Sequence, residues 1–150
     1  MFKKLMLGFL AGFVLSRAGA ADLHWQTDLT QALTRAKAEK KLVLMDFTGS
    51  DWCEPCQLLE KAILDQPEFA AYASTNLVLL QADFPLKKPQ TDTLKAANQA
   101  LAQKFKVEGY PTLIALKSDG TAAWRQEGVN DSILAGGPKA LIAQLNAVQK

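Results

Sequence analysis

Histidine occurs once in the 150-residue sequence, as His24, and cysteine twice, as Cys53 and Cys56. Zinc requires four ligands, so a zinc centre built within one chain fails on count. A site shared between two chains, or a cuprous ion held by the two sulfurs, stays open. No long run of lysine or arginine is present, which gives no reason to expect nucleic acid or anionic lipid as a partner. Internal repeats, low-complexity stretches and nucleotide-binding motifs are also missing. The apolar run from Leu5 to Leu15 has eleven residues, well short of the roughly 20 that a spanning helix needs.

That short run follows Lys3 and Lys4 and precedes Ala18-Gly19-Ala20, the order of a secretory signal. The expectation is a signal peptide over residues 1–20, cleavage after Ala20, and export to the periplasm. An uncleaved anchor, which Arg17 favours somewhat, would alter tethering and leave the chemistry unchanged. No cysteine follows the cut to take a lipid. Residues 21–150 suffice for one domain with a single core. The precursor has 17 basic and 15 acidic side chains, and loss of Lys3, Lys4 and Arg17 leaves 14 against 15. The exported chain is therefore nearly neutral.

Disulfides persist in an oxidising compartment, but a staple stabilises most when it closes a long loop. A bridge between Cys53 and Cys56 would close almost none, so stabilisation explains the pair poorly.

Hydrophobic periodicity organises the rest. Leu29, Ala32, Leu33 and Ala36 recur at helical spacing between Thr27 and Lys41, with Thr27 or Asp28 as cap. Leu42 to Phe47 has the uniformly apolar pattern of a strand buried on both faces, and it ends at the turn formers Thr48-Gly49-Ser50-Asp51. Glu54 to Leu64 then reads as a helix through Leu58, Leu59, Ala62 and Ile63, with a further helical piece from Pro67. Leu77 to Asp83 is a second strand. The Pro- and Lys-containing loop from Phe84 to Gln90 that follows is read as solvated, with partner binding as the alternative. A helix follows over Asp92–Phe105. Thr112–Lys117 and Thr121–Gln126 flank an Asp119-Gly120 hairpin turn, and Pro138–Val148 closes the chain as a helix. Strands separated by helices, followed by a hairpin, predict an α/β fold: a three-layer α/β/α sandwich with a mixed central sheet.

The chemistry follows from where the cysteines fall. A thiol attacks a disulfide only as thiolate, and a helix N-terminus favours the anion through its unpaired N–H groups and dipole. Cys53 at that position is the expected exposed attacker. Cys56, one turn on, is the partly buried thiol that resolves the mixed disulfide. Pro55 suits the first turn of a helix. Glu54 places a carboxylate beside the attacking sulfur, which opposes a second negative charge and leans toward a reducing catalyst, less so if it points into solvent. His24 reads as an ordinary surface residue, and Trp25 and Trp124 as core or edge packing.

Asp46-Phe47, Trp52-Cys53-Glu54-Pro55-Cys56, Gly109-Tyr110-Pro111-Thr112 and the Asp119-Gly120 hairpin occur in the order of the thioredoxin superfamily, which this chain resembles over roughly residues 40–148. The stretch Leu79-Leu80-Gln81-Ala82-Asp83 is most similar to the periplasmic C-terminal domain of membrane thiol-disulfide interchange proteins and its stand-alone exported relatives. The resemblance implies a thioredoxin fold and a cis peptide bond before Pro111, with Pro111 against the sulfurs. It implies that the Tyr110 backbone pairs with substrate and that Trp52 flanks the site as a surface for partners. Asp46 would be a buried acid beneath Cys56, raised in pKa by desolvation and able to accept its proton. Two departures stand out. Glu54 replaces the usual glycine, and the connection from Asp46 to Cys53 is one residue longer than typical, so either the loop bulges or Asp46 is displaced.

The expectation is a monomeric periplasmic thiol-disulfide oxidoreductase acting on disulfide-containing proteins. It would need no cofactor beyond the Cys53–Cys56 pair and would be re-reduced by a membrane electron donor. A copper or zinc carrier and a redox-inert binding module are the alternatives.

Overall fold

The structure is a computed structural model that describes residues 23–149; the expected signal segment lies outside the described residues. Strand β1 (Trp25–Gln26) is followed by helix α1 (Leu29–Glu39), β2 (Leu42–Thr48), α2 (Glu54–Leu59), which runs on into a π turn at Glu60–Leu64, and α3 (Pro67–Asn76). Then come β3 (Leu77–Asp83), α4 (Asp92–Lys104), β4 (Thr112–Leu116), β5 (Ala122–Glu127) and α5 (Asp131–Val148). The five strands lie in the order β1-β3-β2-β4-β5. β3 runs parallel to β1 and β2, and β4 is antiparallel to both β2 and β5. The mixed sheet and its helices are those of the expected thioredoxin fold.

β2 is central and buried along its whole length. Its alternation divides the core. Leu42 and Leu44 face one side, packed with Leu59 and Ile63 of the α2 region, Phe69 of α3, and Ile133, Leu141 and Leu145 of α5. Val43, Met45 and Phe47 face the other, where Ala32 and Ala36 of α1 meet them and Leu101 of α4 packs alongside. Continuing the period puts Asp46 on the side of Leu44, under the helix that begins at Cys53.

The caps agree with the local sequence. The Asp28 side chain accepts the Gln31 N–H, Thr91 that of Leu94, and Asn130 that of Ile133, each filling one of the orphan donors of a first turn. The Asp-Gly hairpin forms with Gly120 at φ +86°, and Asp119 accepts both the N–H and the hydroxyl of Thr121.

Trp25 packs against the core at the sheet edge, as expected; with Gln26 it also pairs with Leu79 and Leu80 as a short edge strand that local pattern does not reveal. Two expectations need correction. Helix α5 begins at Asp131, seven residues before the expected start. It is broken at Gly137 (φ 57°, ψ −150°), so Pro138 opens the second of two helical pieces. Leu58, assigned to the buried stripe of α2, is 45 % exposed. The burial runs instead through Cys56, Leu59 and Ile63, and Leu58 lies about 200° around the helix from Cys56 at 3.6 residues per turn.

Candidate active site

The turn between β2 and α2 folds on itself through two bonds to one carbonyl: Gly49 O accepts the N–H of Trp52 and that of Cys53. Cys53 is thereby left in extended conformation (φ −87°, ψ 102°) as the N-cap of α2. Its Sγ accepts the backbone N–H of Cys56 at 3.3 Å, the role that a serine or aspartate oxygen plays at ordinary N-caps. Pro55 falls in the first turn, where its lack of an N–H costs little. Cys53 and Cys56 are joined as a disulfide with Cα atoms 5.2 Å apart.

The expected difference in exposure between the cysteines is not found. Cys53 is 4 % exposed and Cys56 3 %. Glu54 and Pro55 are exposed beside them.

Asp46 is buried, as the resemblance implies. It is 5 % exposed and stands in register between Gln81 of β3 and Leu113 of β4. Its Oδ1 has no hydrogen-bond partner among the described residues. Burial pushes the carboxyl up to about 7; repulsion from Glu60 and Asp83 adds to the rise, and the neighbouring Gln81 side chain works against it. An acid in that range can both take and return a proton near neutral pH. Glu60, four residues after Cys56 and so on the same helical face, is itself raised by partial burial and by Asp65.

The peptide bond between Tyr110 and Pro111 is cis. Tyr110 stacks on Phe84 at 5.0 Å and meets Trp52 edge-on at 6.0 Å, forming an aromatic rim over the turn. Trp52 is 44 % exposed while its indole N–H donates to the Phe84 carbonyl at 2.8 Å, so it both packs and presents a face. Gly49 makes room for it: a Cβ there would lie 2.5 Å from the indole.

The loop from Phe84 to Gln90, expected to be solvated, is fastened to the cysteine turn. The Asp51 carboxylate accepts the backbone N–H groups of Leu86, Lys87 and Lys88 at 2.9, 2.7 and 2.7 Å. These bonds hold its carboxyl below the usual carboxylate range. Ser50 donates its N–H and hydroxyl to Asp83, and its Oγ accepts from Lys88 Nζ at 3.2 Å. Local pattern could not reveal this clamp, because its partners lie 35 to 37 residues apart. Glu60 was also missed, although its spacing from Cys56 was a usable signal. His24 is exposed at the β1 edge of the sheet and does not join the cysteines. Among the described residues no three His, Cys, Asp or Glu side chains gather as a metal site.

A family model described as thioredoxin-like matches residues 24–118. Disulfide bond reductase DsbH of Chlamydia pneumoniae is 36% identical over 101 residues, covering 67% of this chain and 60% of DsbH. Thiol:disulfide interchange protein DsbD of Pseudomonas fluorescens is 31% identical over 114 residues, covering 76% of this chain and 18% of DsbD. A solved structure of a DsbH oxidoreductase matches with a TM-score of 0.78 at 28% identity, over 99% of this chain and 94% of that one. The chain thus spans 60% or less of the length of these two curated relatives. The likeness to DsbD is the one to which Leu79–Asp83 pointed.

Proposed function

Because the chain belongs to the thioredoxin-like family, we propose that it is a periplasmic thiol-disulfide oxidoreductase that reduces protein disulfides through Cys53 and Cys56. The observation that carries this reading is the capping geometry. One sulfur accepts the N–H of Cys56 at a helix start and is bonded to the second sulfur one turn along that helix, and the strand leading into the turn carries the buried acid Asp46.

In the reduced protein the Cys53 thiolate attacks one sulfur of a substrate disulfide. A mixed disulfide forms, and the first substrate sulfur leaves as thiolate and takes up a proton. Cys56 then loses its proton, for which Asp46 is the available base, and attacks Cys53 Sγ. The second substrate sulfur departs and is protonated in turn. The substrate has gained two electrons and two protons, and the protein is left with the Cys53–Cys56 disulfide. Trp52, Tyr110 and cis-Pro111 form the rim against which an extended substrate segment lies, with the Tyr110 backbone as its pairing partner. The oxidised pair must be reduced again, and a membrane electron donor is the partner proposed for that step.

Two features support the reducing direction: Glu54 beside the attacking sulfur, and the absence of any cationic residue in the motif to stabilise a thiolate strongly. The names of DsbH and DsbD describe disulfide reduction and interchange and agree with it. The test is insulin reduction by the pre-reduced protein, with Cys53→Ser inactive and Cys56→Ser accumulating a mixed disulfide. A reduction potential of about −270 mV is expected, and one of about −120 mV would mark an oxidant instead. Unchanged insulin reduction by Cys53→Ser would overturn the proposal.

A further inference from the structure

Among the described residues, the large hydrophobic side chains that stand well out into solvent are Trp52, Leu58 and Leu86, at 44 %, 45 % and 76 % exposure. Trp52 adjoins Cys53, and Leu58 lies on the helix that Cys53 caps. Leu86 is at the tip of the loop that Asp51 fastens to the same turn. Exposing a leucine on a loop is ordinary in itself. Fixing that loop by three backbone N–H bonds to one carboxylate is not, because a merely solvated loop gains nothing from a defined shape.

The clamped loop and α4 enclose an open groove of about 370 Å³ that starts at Trp52. Phe84 and Leu86 give it an apolar side, and Lys88, Lys95 and Gln99 give it a cationic and amide side. Lys88 stands close enough to Asp51 and Glu60 to feel both carboxylates, and it donates to Ser50, so its charge is partly balanced. The ion pairs among the described residues engage Arg35, Lys41 and Arg125, and Lys95 is the lining cation left to meet an incoming group. The groove is continuous with the aromatic rim through Trp52.

We propose that this groove selects among substrates by binding the chain next to the reacting cysteine, and that it fits an extended segment with a carboxylate side chain beside an apolar one. The inference rests on the exchange activity proposed above and adds to it which disulfides are attacked fastest. The apolar side chain lies against Leu86 and Phe84, and the carboxylate meets Lys95, with Lys88 alongside. Asp51 is a positioning residue, since it shapes the groove without touching the occupant.

The test uses three homodimeric peptide disulfides, identical except that the residues after the single cysteine are Asp-Asp-Leu, Asn-Asn-Leu or Lys-Lys-Leu. Each is mixed with the reduced protein, and kcat/KM is followed by release of free peptide thiol. The acidic peptide should react at least about tenfold faster than the lysine peptide at low salt, as electrostatic steering into a charged cleft allows. The ratio should shrink at high salt as screening grows. Lys88→Glu with Lys95→Glu should invert the ratio. Lys95→Glu alone, which leaves the bond of Lys88 to Ser50 intact, should lower it. Equal rates for the three peptides, or a ratio that the charge reversals leave untouched, would overturn the groove while leaving the exchange reading standing. Inertness toward all three peptides would remove both.

Discussion

The carboxylate of Asp51 accepts the backbone N–H of Lys88 at 2.7 Å, tying the turn before Cys53 to a loop 37 residues further along the chain. Because the bond is to an ionised acid, it should outlast the usual aspartate titration. Its contribution is complete above the ordinary aspartate pKa of about 3.9. It is lost only as pH falls through the lower value held in the fold. Hydrogen exchange should show Leu86, Lys87 and Lys88 equally protected at pH 7 and pH 5 and released in stronger acid. Asp51→Ala should speed their exchange on the order of tenfold at neutral pH. Unchanged exchange in that variant would mean that the loop holds its shape without the clamp.

Asp46 predicts the opposite pH behaviour. Burial pushes its carboxyl up to about 7 in the fold from an ordinary 3.8, so between those values the folded state keeps a proton that the unfolded chain has lost. Stability should fall as pH rises across that window and level off above it. Asp46→Asn removes the slope. In urea unfolding of the oxidised protein, the variant should match the parent near pH 4 and exceed it by roughly 2–4 kcal/mol at pH 8. In the reduced protein the same change should slow release of the mixed disulfide on the order of a hundredfold, as loss of a general base does.

Gly49→Ala should displace Trp52, since the new Cβ would lie 2.5 Å from the indole carbon Cε2. The expected readouts are faster exchange of the Trp52 indole proton, now free of the Phe84 carbonyl, and a loss of about 1–3 kcal/mol from overpacking. An indole signal identical to the parent's would show that the turn absorbs the methyl group.

Gly137→Ala isolates backbone strain from chemistry. At φ 57° and ψ −150° the position is nearly restricted to glycine, and alanine there should cost about 1–3 kcal/mol. Insulin reduction measured well below the melting transition should be unchanged. A variant as stable as the parent would mean that the two helical pieces of α5 can join without the break.

Much of this architecture is legible from the chain alone, and the reason differs by element. Leu77–Asp83 is matched end to end because a buried parallel strand needs an uninterrupted apolar run, which turn or helix residues bound on both sides. The burial of Asp46 is what the family resemblance implies rather than what local pattern shows, since a strand covered on both faces hides every position alike. The placement of Cys53 at a helix start follows from the turn formers ahead of it and Pro55 behind. What escaped has a common physical origin in distance along the chain. β1 is two residues long and exists through its pairing with β3. The seat of Leu86, Lys87 and Lys88 on Asp51 leaves no local periodicity. Leu58 shows a different limit: helical spacing identifies an apolar stripe but does not say which leucine at its margin the core will take.

The cover over the sulfurs bears on how such a centre can coexist with other redox couples. With both cysteines less than 5 % exposed, an ambient small thiol finds little of the disulfide to strike, whereas a macromolecule that engages the aromatic edge gains binding energy with which to reach it. Fit would then count beside reduction potential in deciding which couples react with the pair. Exchange with the bulk thiol pool would be slow, and exchange with a docked macromolecule fast.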